Sequence, residues 1–153
     1  MNTEERAALD GAVQSLIDAD IAGTLGLERA EIHAGLRAAD ADLEAGRTAE
    51  AAKRFAALAL FDPLDTGPQI GLTRVALAEG QFESAMNLAA GLVMRDPARA
   101  EGFLLLAMAA TGMGEVDAAI EDYQSALDRA PEGSALADAA RGGLAAAQAR
   151  RAP

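Results

Sequence analysis

Apolar residues recur at helical spacing along most of the chain, and the pattern restarts at a fixed interval. Between 48 and 61, Ala51, Phe55, Leu58 and Ala59 mark one face of a helix that must end before Pro63. A second stretch places Phe82, Ala85, Ala89, Leu92 and Val93 ahead of Pro97. A third places Val116, Ala119, Tyr123, Ala126 and Leu127 ahead of Pro131. Each of these helices follows a glycine turn, and each turn follows another apolar-periodic stretch, over 32–45, 66–79 and 100–113. The pattern predicts three helical hairpins, none able to bury its apolar face alone.

The interval is 34 residues, shared by Gly46, Gly80 and Gly114, by Ala51, Ala85 and Ala119, and by Pro63, Pro97 and Pro131. Three residue types with one period and one phase define a repeat. The glycine permits a tight connection with positive φ, and the alanine lets paired helices approach closely. The units run over 32–65, 66–99 and 100–133. Residues 134–153 form a further helical segment, with Leu136, Ala140 and Leu144 on one stripe and Arg150 and Arg151 outward. A polar-faced terminal helix is what a stacked array needs as its cap. Residues 1–31 form an N-terminal helical extension carrying Leu9, Val13, Leu16, Ile17 and Ile21 on one face. That face either packs on the first repeat or makes a homodimer contact through Val13, Leu16 and Ile17.

Composition changes the picture by removing functions. Alanine supplies 40 residues, whereas Leu, Ile, Val and Phe together supply 32, so the 51% apolar fraction overstates the burial available. With no cysteine there is no disulfide framework and no thiolate metal site. A net charge of −11 opposes nucleic acid and anionic lipid. No apolar run approaches the roughly 18 residues needed to span a bilayer, and the N-terminus lacks a signal-peptide core. A cytoplasmic protein with no stable membrane insertion is expected.

Catalytic and cofactor chemistry find no constellation. His33 is the sole histidine and has no serine or cysteine partner in any nucleophile motif. The carboxylates Asp40, Asp42 and Glu44 alternate along a helix, so Asp42 diverges from its two neighbours and the three do not form one chelating face. The loop from Asp62 carries Leu64 and Thr66 where a calcium loop needs acids. Gly112-Met113-Gly114 lacks the third glycine and the preceding strand of a dinucleotide site. No catalytic residue, metal or cofactor is expected.

Taken together, the repeat resembles the tetratricopeptide repeat. Ala39 and Ala107 match its small first-helix residue, with Thr73 departing. Phe55 and Tyr123 match its second-helix aromatic, with Ala89 departing, and the early large residue is present only as Phe103. The resemblance implies an all-α solenoid whose first helices line a concave face. Family register assigns that face His33, Leu36, Asp40 and Leu43, then Ile70, Arg74 and Leu77, then Glu101, Leu104, Met108 and Thr111. An apolar lane of Leu36, Leu43, Ile70, Leu77, Leu104 and Met108 results, edged by Asp40 and Arg74. Individual leucines of the lane can equally serve the core, and Asp40 and Arg74 can pair with each other.

The number of hairpins, the flanking helices and the segments 37–65 and 70–86 are similar to the class II chaperones of type III secretion translocators. That similarity implies a cytoplasmic, non-enzymatic protein that holds an extended segment of a secreted client in its groove, often as a dimer. Those chaperones often place aromatics in the groove, where this chain has Leu36, Asp40 and Leu43. The alternative is a general tetratricopeptide scaffold or assembly factor. A carboxylate clamp is not expected, since Lys53 is the sole lysine.

Overall fold

The computed structural model describes residues 29–151, so the stripe bearing Val13, Leu16 and Ile17 lies outside the described residues. Seven helices occur among them, without strands: α1 (Arg29–Glu44), α2 (Thr48–Phe61), α3 (Gly67–Ala78), α4 (Phe82–Arg95), α5 (Ala100–Met113), α6 (Val116–Arg129) and α7 (Ala135–Arg151). The helix α1 begins three residues before the apolar pattern does.

Each hairpin closes in the same way. Gly46, Gly80 and Gly114 adopt φ of 74°, 71° and 81°, the left-handed region where a side chain is strained. The Arg47 N–H then donates to the Asp42 carbonyl at 2.8 Å, and the Gly46 N–H to the Leu43 carbonyl at 3.0 Å. The same two bonds recur as Gln81 to Ala76 with Gly80 to Leu77, and as Glu115 to Ala110 with Gly114 to Thr111. This is the Schellman arrangement, which satisfies carbonyls that a helix end leaves open. Between hairpins, helices stop two residues before Pro63, Pro97 and Pro131. Asp62 turns the first junction, its carboxylate accepting the N–H groups of Leu64 and Asp65 at 3.1 and 3.2 Å. Asp96 does likewise for Ala98 at 3.2 Å.

Successive helices pack antiparallel, and the first helices α1, α3, α5 and the cap α7 also meet in series. The second helices of neighbouring units scarcely touch. First helices therefore lie on the shorter, inner radius of the stack, and that is the concave face. Small residues make the close packing possible: Ala39, Thr73, Ala107, Ala51, Ala85 and Ala119 are all at most 1% exposed. Thr73 fits the alanine slot because its hydroxyl donates to the Gln69 carbonyl at 2.8 Å, leaving no open polar group.

Larger side chains interlock across the inter-repeat seam. The Phe55 ring lies on Gly71, where an added Cβ would fall 2.3 Å from Cε1. The Tyr123 ring lies on Gly143 of the cap, again at 2.3 Å. In the middle repeat the exchange is reversed, with Ala89 facing Leu105 in one buried cluster. Arginines add a polar staple. Arg95 donates to the Pro63 carbonyl at 3.3 Å, and Arg129 to the Pro97 carbonyl at 2.9 Å while lying 4.2 Å from the Phe103 ring centroid.

Asp42 is the one buried carboxylate among the described residues, and it ties α1 to α2. Arg47 donates to its Oδ1 at 2.9 and 2.7 Å, and Arg54 to its Oδ2 at 2.7 Å. The Arg47 bond first, and Arg54 with it, hold this carboxyl below its ordinary value against the opposing effect of burial. A depressed folded pKa contributes stability above the unfolded value, near 4. That contribution is lost as pH falls through the lower folded value. Thermal melts at pH 7 and pH 3 are expected to show a smaller acid-induced loss in Asp42→Asn than in the wild type. An equal loss in both proteins would remove Asp42 as a source of acid sensitivity.

Candidate peptide-binding groove

The 34-residue register sets residue i of one first helix beside residue i+34 of the next. Asp40 and Arg74 make this direct: Nη1 of Arg74 meets Oδ1 of Asp40 at 2.6 Å across α1 and α3. Both side chains remain about two-fifths exposed, so the pair is worth little in stability and serves chiefly to hold Arg74 in place.

Beside this pair lies a cavity of about 390 Å³ lined by Leu43, Glu44, Arg74, Leu77, Ala78 and Met108. It draws on the last turns of α1 and α3 and the middle of α5. Leu43, Arg74, Leu77 and Met108 are thus brought together out of the eight groove positions read from the sequence. Met108 is 42% exposed. Leu43 and Leu77 are half-buried, their inner flanks resting on the core.

The other apolar positions do not extend this cavity. Leu36 packs against Ile32 and Leu58 and against the Phe55 cluster. Leu104 packs against Ala107 and Tyr123. Ile70 borders a separate cleft with Arg99 and Glu101, too small at about 10 Å³ for a side chain. The lane expected from the register is therefore a groove concentrated at one end, where the first helices terminate. Glu44 and Ala78 belong to it and were missed, although each directly follows a named leucine and the two are 34 apart.

No cluster of three or more His, Cys, Asp or Glu side chains among the described residues is arranged to hold a metal ion. His33 is exposed on α1, at the opposite end of the helix from the cavity. No described helix is long and apolar enough to cross a membrane. Chemically, the site offers an apolar depression with a fixed ion pair and a free carboxylate at its rim.

These hairpins, their glycine turns and their inner face have the architecture of a tetratricopeptide-repeat array. The tetratricopeptide-repeat family profile matches residues 42–109. Three solved structures share the architecture. A type III secretion complex from Aeromonas hydrophila superimposes with a TM-score of 0.75 at 22% identity, covering 95% of this chain and 97% of the other. The Yersinia enterocolitica type III secretion translocator chaperone SycD does so at 0.74 and 21%, covering 84% and 98%. PcrH of Pseudomonas aeruginosa, in complex with the chaperone binding region of PopD, does so at 0.70 and 25%, covering 83% and 98%. No curated protein sequence matches the chain.

Proposed function

We propose that this chain is a cytoplasmic, non-enzymatic chaperone that holds an extended segment of a secreted, translocator-type client along its inner face. The observation that carries the reading is the cavity joining Leu43, Leu77 and Met108 beside the Asp40–Arg74 pair. An apolar depression flanked by fixed polar groups suits a side chain presented by an extended peptide. The likeness to SycD and to PcrH with its bound PopD region supports the same use of the fold. A homodimer through Val13, Leu16 and Ile17 belongs to this reading, as does the division into an N-terminal extension, three repeats and a cap.

A second reading has its own observation. Leu60, Leu64 and Met94 are 72%, 67% and 86% exposed. Leu60 and Met94 occupy equivalent positions 34 apart on α2 and α4, away from the groove. A scaffold or assembly factor that docks partners on its outer face would use such residues.

Capture from native cytosol separates the two, with wild type beside Leu43→Glu/Leu77→Glu and Leu60→Glu/Met94→Glu, read by mass spectrometry. The chaperone reading expects one stoichiometric client with membrane-inserting segments, lost only in the first variant. Partners lost only in the second variant would transfer the function to the outer face.

A further inference from the structure

We propose that the groove selects a client segment whose aliphatic anchor is flanked by lysine or arginine, with Glu44 receiving the basic group. The inference rests on the groove reading above and adds the charge of the occupant.

Charge is distributed unevenly around the cavity. Leu43, Leu77, Ala78 and Met108 supply its apolar wall, and its one cation, Arg74, is already bonded to Asp40 at 2.6 Å. The pair presents no net charge to an incoming peptide. Glu44 is exposed on the rim and has no hydrogen bond or ion pair among the described residues.

The backbone has the same sign. Helix α1 ends at Glu44 and α3 at Ala78, both on the cavity wall, and neither has a basic residue in its last turn. The helix α5 has none either, whereas α4 and α6 end with Arg95 and Arg129. A helix C-terminus carries about half a negative charge, so two helix ends and a free carboxylate converge here. Of the nearby cations, Lys53 pairs with Glu50, while Arg47 and Arg54 share the single carboxylate of Asp42 and leave that cluster one positive charge on the α2 side of α1. An acidic flank on the client would have to share Arg74 with Asp40, while a basic flank finds a carboxylate waiting. The chain's net charge of −11 acts in the same direction at longer range.

The test pans a random dodecapeptide phage library on the full chain, on Glu44→Lys and on Leu43→Glu/Leu77→Glu, after circular dichroism shows wild-type helicity for each. Wild type is expected to enrich Leu, Ile, Met or Phe with Lys or Arg within three positions. Glu44→Lys is expected to lose that bias and gain Asp or Glu beside the anchor. A synthetic winning peptide should bind wild type about fivefold more tightly than its Lys-to-Glu version, and the gap should shrink in high salt. Apolar enrichment without a basic bias, or a bias unchanged in Glu44→Lys, overturns this inference and leaves the groove standing. Enrichment that survives Leu43→Glu/Leu77→Glu, or no enrichment on wild type, overturns the groove reading itself.

Discussion

Phe55→Ala is expected to destabilise the fold by about 3–5 kcal/mol, a large share of what holds a domain of this size together. Phe55 is 1% exposed, and its ring fills the space over Gly71 at the seam between the first two repeats. Gly71→Leu alone is also expected to destabilise, because even a Cβ there falls 2.3 Å from the ring. Combined, the two substitutions recreate the arrangement one repeat later, where Ala89 faces Leu105. The double variant is expected to recover most of the loss, helped by replacing a helical glycine at about 1 kcal/mol. A coupling of roughly 2 kcal/mol or more in a urea-denaturation double-mutant cycle is the expected result. Simple additivity would show that the two seams are not interchangeable.

That exchange also shows how much the sequence could disclose. The hairpin ends were legible because a glycine with positive φ and a proline two residues past a helix are local requirements, met at Gly46, Gly80, Gly114 and the three junction prolines. The buried alanines were legible because close approach demands a small side chain. Ala89 read as a departure because the residue that compensates it, Leu105, lies on the next first helix and outside any local pattern. The staples of Arg95 to Pro63 and Arg129 to Pro97 left a trace, since both pairs are 32 residues apart, but one that only the folded stack explains. For the groove, register placed Asp40 beside Arg74 correctly. It could not separate Leu36 and Leu104, which turn into the seams, from Leu43 and Leu77, which keep a flank open. All four sit on the first-helix face, and the direction of each side chain depends on the neighbour it meets.

The same distinction decides which substitution probes the groove most cleanly. Leu77 supports two buried clusters and Leu43 a third, so a glutamate at either position costs stability as well as binding. Met108 lines the cavity at 42% exposure, outside the buried core. Met108→Glu is therefore expected to leave the urea midpoint within about 0.5 kcal/mol of wild type, as surface changes usually do. Against the captured client it is expected to lower affinity about 30-fold or more. Seating an apolar anchor against an unpaired carboxylate costs roughly 2 kcal/mol or above. The new carboxylate would also compete with Asp40 for Arg74, whose place in the register adjoins position 108, and so loosen the pair that edges the site. Met108→Leu keeps the apolar wall and should bind within a few-fold of wild type. Isothermal titration of the three proteins with one client peptide measures both effects. Unchanged affinity in Met108→Glu would place the client elsewhere on the molecule, and the exposed Leu60–Met94 face would become the surface to test.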